Sequence, residues 1–126
     1  MAIDINKQVE YWRGGAEEDM AVAELLIEQR RTRYALFFGH LMLEKALKAL
    51  VTRATGDIPP RTHDLLRLAT LGEVVLTAQQ RVVLLDMQQY NLEGRYPSDW
   101  PAVVEPELAK SDLARAKELA AWLLKQ

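Results

Sequence analysis

The most constraining feature of this sequence is the segment from Tyr34 to Val51, which would be apolar on nearly every face of a helix. Leucines form one stripe along it, and Phe38, Met42 and Ala49 fall on the opposite side. A helix that is apolar almost all round is buried. Other elements must therefore pack around this segment, and a chain of 126 residues can supply them within one domain.

The rest of the chain shows helical periodicity, and its strand signals are weak. Helices are predicted at about 6–29, 33–55, 63–71, 78–92 and from 106 towards the C-terminus. Buried stripes are predicted at Val9, Trp12, Ala16, Ala23 and Leu26 in the first helix, and at Leu108, Leu113, Ala116, Ala120 and Leu123 in the last. Helices joined by short turns predict an all-α, up-and-down bundle of four to five antiparallel helices, forming a single domain over residues 1–126.

Local signals set the predicted helix ends. Thr32 and Thr62 are predicted to be the N-caps of the second and third helices. Thr77 and Gln80 match a capping box at the start of the fourth helix. Pro106 suits the first turn of the last helix. Within the first helix, the two adjacent glycines of "RGGAEE" indicate a kink or a close helix contact.

The composition limits the classes of function. The absence of cysteine excludes disulfides and thiolate metal sites. No run of eighteen apolar residues occurs and no signal segment is evident, so no membrane association is predicted and the cytoplasm is the expected location. The net charge is only −2, but residues 30–67 carry +5 and the first 29 residues −5. The positive region would attract a phosphate-bearing ligand or an acidic partner, unless the two faces simply neutralise each other.

Charged groups at predicted buried positions are the main functional signal. Asp19 interrupts the stripe of the first helix, and His40, Glu44 and Lys48 form a column along the second, with Lys45 beside them. Buried charges without partners cost several kcal/mol, so these groups must be paired or must face a cleft. One interpretation is mutual satisfaction, in which Glu44 and Lys48 pair along their helix.

The other interpretation is an anion site next to the "RYP" segment. Arg95 is the predicted partner of Asp19 and would also offer a fork that matches phosphate oxygens. Lys45 or Lys48 would supply a point charge, and His63 lies near the start of the third helix, where backbone amides favour an anion. The candidates for an aromatic surface that stacks on a base are Tyr90, Tyr96 and Trp100.

Other chemistries have less support. His40 and Glu44 have a spacing that can ligate a metal, but no second histidine or carboxylate pair completes a site. Ser98 and Ser111 are the only serines, and neither lies in a nucleophile elbow. "YWRGGAEE" lacks the ending of a phosphate-binding loop. No catalytic residue, metal or cofactor is therefore predicted.

Three segments, "GHLMLEKALKAL", "PPRTHDLLRLA" and "YNLEGRYPSDW", resemble the HEPN domain, named for its occurrence in higher eukaryotes and prokaryotes. The opening "YWRGGAEEDMAVAELLIEQ" resembles the first helix of that domain, with the acidic Asp19 at a matching position. The resemblance covers roughly residues 8–125, and the combination of "EKALKA", the Thr-His pair and "RYP" is fairly specific.

The resemblance implies a bundle that commonly forms homodimers. Small members are often encoded beside a minimal nucleotidyltransferase, and they are thought to be its substrate-binding or nucleotide-binding subunit or its toxin partner. The first hypothesis is therefore a non-catalytic subunit that holds a nucleotide or a nucleotidylated substrate. The motif match assigns ligand binding to His40, Glu44, Lys45, Lys48, His63, Arg95 and Tyr96, with Asp19 and Tyr90 in support.

One departure from the family pattern concerns its ribonuclease branch, which carries an Arg, four to six residues and a His near the start of a late helix. Arg95 is followed by "YPSDWPAVV", with no histidine, and the Arg33 and His40 pair lies in the wrong helix. The second hypothesis is still a metal-independent ribonuclease toxin of a toxin–antitoxin pair, with RNA as its substrate and a degenerate motif. The third is a purely structural dimerisation module.

Overall fold

The computed structural model describes residues 3–126, which form five α-helices and no strand. The elements in chain order are α1 (Ile5–Glu28), α2 (Thr32–Thr55), α3 (Leu65–Leu71), α4 (Ala78–Gln88) and α5 (Pro106–Leu124), with a 3-10 turn at Pro97–Asp99. The helices pack against one another, which confirms the predicted all-α bundle.

Helix α2 lies at the centre of the bundle. It contacts all four other helices, and α1 packs along it most extensively. Leu36, Met42, Leu43 and Leu47 are fully buried, as the apolar pattern of this segment predicts. Gly39 lets α4 and α5 approach, because a Cβ there would lie 2.8 Å from Met87 Cε and 3.1 Å from Leu113 Cδ1. Across residues 3–126, no helix combines the length and the apolar content that crossing a membrane requires.

Two of the predicted N-caps are wrong, because another residue occupies the position before each helix. Helix α2 begins at Thr32 itself, and Arg31 precedes it without a side-chain cap. Helix α3 is capped by Asp64, whose side chain accepts from the backbone N–H of Arg67. The side chain of Thr62 instead accepts a hydrogen bond from the backbone N–H of Asp64, the N-cap residue itself.

The other local signals are confirmed. The side chains of Thr77 and Gln80 form both hydrogen bonds of a capping box at α4, and Pro106 opens α5. Helix α4 ends at Gln88, earlier than predicted, because the chain then turns so that Tyr90 and Leu92 enter the core.

The buried stripes are confirmed with one exception. In α1, Val9, Ala16 and Ala23 are buried, Trp12 and Leu26 are half-buried, and Asp19 is buried among them. In α5, the buried stripe consists of Ala109, Leu113, Ala116, Leu119, Ala120 and Leu123. Leu108, which the sequence predicts to belong to this stripe, is 55% exposed. Its five-residue separation from Leu113 places it out of phase with a stripe spaced by three and four.

Candidate functional site

Asp19 pairs with a lysine of the neighbouring helix. The Nζ atom of Lys45 lies 2.8 Å from Oδ2 of the buried Asp19. Gly15 makes room for this side chain, because a Cβ at that position would lie 2.9 Å from Lys45 Cδ. The close helix contact predicted for the glycine pair is thus confirmed at Gly15, whereas a Cβ at Gly14 would meet no atom within 4 Å.

The predicted pairing of Asp19 with Arg95 is wrong. The Arg95 guanidinium donates to the backbone carbonyls of Gln89 (3.1 Å), Asn91 (3.0 Å) and Asp99. Arg95 is exposed, and its backbone carbonyl accepts a hydrogen bond from the Nε1–H of Trp100 at 3.2 Å. A guanidinium has five donors in a fixed fork, which suits it to fastening the carbonyls of a loop. Arg95 therefore holds the segment between α4 and α5 in shape and lies outside the charged cluster of α2.

The surroundings of the Asp19 carboxyl have opposing effects on its pKa and raise it overall. Burial raises the pKa of this carboxyl, the ammonium of Lys45 lowers it, and the neighbouring carboxylates Glu18 and Glu44 raise it again, with a net upward shift. Asp19 Oδ2 has no partner in hydrogen-bond geometry despite the short distance to Lys45. The contact is therefore an ion pair without a well-directed hydrogen bond.

Glu44 is the centre of the polar cluster in α2. Its Oε2 accepts from Lys48 Nζ at 3.1 Å, and its Oε1 lies 2.7 Å from His63 Nδ1 and 3.4 Å from His40 Nε2. Burial raises the pKa of the Glu44 carboxyl, but His40, His63 and Lys48 outweigh that effect and lower the pKa to about 2. Glu44 is therefore a fixed negative charge in the interior at neutral pH. The pairing of Glu44 with Lys48 predicted from their spacing is confirmed.

His40 is a core residue. Its side chain is fully buried, and Nδ1 lies 3.3 Å from the carbonyl of Met87 in α4. Its Nε2 has no hydrogen-bond partner, because the approach to Glu44 is long and poorly directed. A ligand at the surface cannot reach His40 directly, so this side chain supports the cluster from inside.

His63 is the accessible member of the cluster. Nδ1 lies 2.7 Å from the buried carboxylate of Glu44, and Nε2 lies 2.8 Å from Glu93 Oε2 in the segment after α4. One ring nitrogen of His63 therefore faces the buried carboxylate of Glu44, and the other faces the carboxylate of Glu93. The His63 side chain is 41% exposed and that of Glu93 54%, so the outer nitrogen faces the surface.

Gln88, at the end of α4, positions the backbone around His63. Its Nε2 donates to the His63 carbonyl at 3.0 Å, and its Oε1 accepts from the Leu65 backbone N–H at 2.8 Å. Sequence reasoning missed both Gln88 and Glu93. No local pattern marks them, because their contacts depend on how the segment after α4 folds back on the start of α3.

The remaining predicted site residues lie elsewhere or have other contacts. The ammonium of Lys48 lies 5.2 Å from the centre of the Trp12 ring, so the aromatic face nearest the cluster comes from α1. Tyr90 is buried, and burial together with the nearby Asp112 and Asp86 raises its pKa, so it offers no stacking surface. Tyr96 is 77% exposed. Within residues 3–126, no three His, Asp or Glu side chains are arranged to hold a metal ion.

Of the comparisons with known proteins, the one with protein families finds a match. The family model of the HEPN domain matches residues 9–126, nearly the whole chain. No curated protein and no solved structure matches the chain.

Proposed function

This chain belongs to the HEPN domain family, and from that premise we propose that it is a non-catalytic binding subunit. It holds a nucleotide, or a group carrying a transferred nucleotide, and acts with a separate minimal nucleotidyltransferase. The observation that carries the proposal is His63, a partly exposed imidazole whose Nδ1 lies 2.7 Å from the buried carboxylate of Glu44.

Binding would exchange the partner of the outer ring nitrogen of His63. Its present partner is Glu93, a half-exposed carboxylate in a segment outside the helices. A phosphate oxygen accepts the same N–H bond and carries the same sign of charge. Glu93 can therefore give way to a phosphate without leaving an unpaired charge in the interior. The buried pair of Glu44 and Lys48 stays intact behind His63.

The other predicted ligand residues have supporting parts in this proposal. His40 and Lys48 hold Glu44 in place, and Lys45 keeps Asp19 neutralised at the α1 contact. Arg95 fixes the shape of the segment that carries Glu93, and the exposed Tyr96 follows it. The direct ligand contact is assigned to His63.

The first experiment measures thermal stability against the concentration of nucleoside triphosphate. A ligand at about 100 times its Kd stabilises the folded protein by about 2.7 kcal/mol. His63→Gln should abolish this gain, whereas Glu93→Gln should strengthen it by removing the competing carboxylate. Glu17→Gln, at an exposed position of α1, removes the same charge elsewhere and should change nothing. A nucleotide response that His63→Gln leaves intact would contradict the proposed site.

The second experiment tests the partner. The protein is co-expressed with the product of the adjacent gene, purified and weighed by intact-mass spectrometry. A stable complex, or the mass of a transferred nucleotide, supports the proposal. Recovery of the chain alone and unmodified, with no nucleotide response, overturns it.

The ribonuclease hypothesis has less geometric support, because the Arg95 guanidinium is already bonded to three backbone carbonyls and no histidine follows it closely. Degradation of a structured RNA without metal, lost in Arg95→Lys, would restore that hypothesis. A purely structural dimerisation module would form a dimer in solution and would bind no nucleotide.

A further inference from the structure

A cavity at one end of the bundle shares no residue with the cluster of Glu44 and His63. Its volume is about 470 Å³, which is in the range of small-molecule sites. Its lining comes from the C-terminal end of α2, the residues that follow α3 and the C-terminal end of α5. We call it the helix-end cavity, and its main lining residues are Leu50, Arg53, Glu73, Val74, Val75 and Trp122.

One part of the helix-end cavity is apolar. Leu50 belongs to the hydrophobic core, and Val74 and Trp122 pack against that core while remaining partly exposed. Val75 is 87% exposed. A ligand with a hydrocarbon body would therefore remove apolar surface from water here, which favours binding.

Glu73 lines the cavity in a left-handed backbone conformation, with φ 56°. Its backbone N–H donates to the Thr70 carbonyl at 3.1 Å, and that of Val74 donates to the Ala69 carbonyl at 2.9 Å. This pair of hydrogen bonds ends many helices, and glycine is the usual residue at the left-handed position because a Cβ strains it. A glutamate is therefore less stable there than a glycine would be, and such strain is concentrated at functional positions.

The charge of the Glu73 carboxylate is not balanced within residues 3–126, where no Lys, Arg or His nitrogen lies at ion-pair distance from it. Arg53, which also lines the cavity, already has a partner, because its Nη1 donates to the Gln126 carbonyl at 3.0 Å. The C-terminal ends of α2 and α5 add partial negative charge. The cavity therefore favours a cation on the side of Glu73.

We propose that the helix-end cavity binds a small organic amine with an apolar body. The ammonium pairs with Glu73, and the hydrocarbon part lies against Leu50 and Trp122. An indole face also attracts a cation, whereas a ligand carboxylate would be repelled by Glu73 and by the helix ends. A small hydrophilic amine would leave the apolar part of the cavity in water. The proposal does not depend on the nucleotide role of His63.

The test is an NMR titration with 2-phenylethylamine, in which the indole N–H signals of the three tryptophans are the reporters. The signal of Trp122 should shift, and those of Trp12 and Trp100, which do not line the cavity, should stay unchanged. 2-Phenylethanol has the same hydrocarbon body without the charge and should bind more weakly by about 2- to 5-fold, the effect of one exposed ion pair. Phenylacetate, with the opposite charge, and ethylamine, without the ring, should also bind more weakly.

Two variants of Glu73 separate its charge from its backbone conformation. Glu73→Gln should weaken the binding of 2-phenylethylamine by about 2- to 5-fold and leave that of 2-phenylethanol unchanged. Glu73→Gly should show the same loss while raising the Tm by about 3 °C, because glycine relieves the left-handed strain. Glu17→Gln removes the same charge from an exposed position of α1 and should change neither affinity.

Three results would overturn the proposal. The first is a Trp122 signal that does not move with the amine, and the second is an amine affinity that Glu73→Gln leaves unchanged. The third is binding of phenylacetate or phenylalanine as tight as that of the amine, which would mean that Arg53 takes a carboxylate. His63→Gln should leave the amine affinity unchanged, which separates the helix-end cavity from the proposed nucleotide site.

Discussion

The Nδ1 atom of His63 lies 2.7 Å from Oε1 of Glu44, although the two residues are 19 positions apart and belong to different elements. This contact connects the interior of the bundle to its surface. The Glu44 carboxyl, whose pKa is about 2, is a buried negative charge. His63 contacts it through Nδ1 and has its other ring nitrogen, Nε2, at the surface beside Glu93. The stability and the proposed binding role of the protein therefore share one hydrogen bond.

Replacing Glu44 should destabilise the protein strongly. Glu44→Gln leaves the ammonium of Lys48 buried without its carboxylate, and breaking a buried pair in this way costs about 3–5 kcal/mol. Urea unfolding at neutral pH measures the change. The control is Glu93→Gln, which breaks a half-exposed pair and should cost less than about 1 kcal/mol. Similar losses in the two variants would contradict the buried role of Glu44.

The pH dependence of stability should carry the signature of Glu44. Its folded-state pKa is lowered from 4.5 to about 2, so its contribution is present above pH 4.5 and is lost as the pH falls through the folded value. A shift of this size corresponds to about 3 kcal/mol. The free energy of unfolding of the wild type should fall between these pH values, and Glu44→Gln should lack that component. Parallel profiles for the two proteins would count against the assignment.

Asp19 should show the opposite sign. Burial raises its folded-state pKa despite the ammonium of Lys45, so the group favours the folded state when protonated and loses that contribution as the pH rises. Asp19→Asn mimics the protonated form and should raise the free energy of unfolding at neutral pH. Glu18→Gln removes the same charge from the exposed neighbouring position and should have little effect. A clear loss of stability in Asp19→Asn would show that the pair with Lys45 outweighs the cost of burial.

The two adjacent glycines of α1 should respond differently to alanine. Gly14→Ala meets no atom within 4 Å and should gain about 1 kcal/mol from helix propensity. Gly15→Ala gains the same propensity but pushes the Lys45 side chain away from Asp19, since the added Cβ would lie 2.9 Å from Lys45 Cδ. Its net gain should therefore be smaller or negative. Thermal unfolding of both variants measures the difference, and equal gains would mean that Lys45 moves at no cost.

Arg95 should matter to the segment before α5 and little to the helices. Arg95→Lys loses the fork that reaches the carbonyls of Gln89, Asn91 and Asp99, with an expected cost of about 1 kcal/mol. Hydrogen exchange should become faster at residues 91–100 and stay unchanged in α1 and α2. Arg81→Lys, exposed in α4, is the matched control. Unchanged exchange at residues 91–100 would mean that this segment is held by other contacts.

The sequence by itself determined the local structure and the class of fold. The burial of α2, the capping box of Thr77 and Gln80, the start of α5 at Pro106 and the pair of Glu44 and Lys48 all depend on residues a few positions apart. Helical geometry fixes which of such residues share a face, so their spacing is sufficient. The predictions for Thr62 and Leu108 are wrong because the nearby Asp64 and Ala109 take the cap and the buried position, and that for Thr32 is wrong because α2 begins one residue earlier, after Arg31.

Only the tertiary structure decided the partners across elements. Lys45 rather than Arg95 neutralises Asp19, because α1 and α2 pack closely enough at Gly15 for the lysine to reach it. His63 meets Glu44 and Glu93 because the segments around α3 and after α4 fold back over α2. Such contacts follow from the path of the chain in space, for which the spacing of residues along the sequence carries no information.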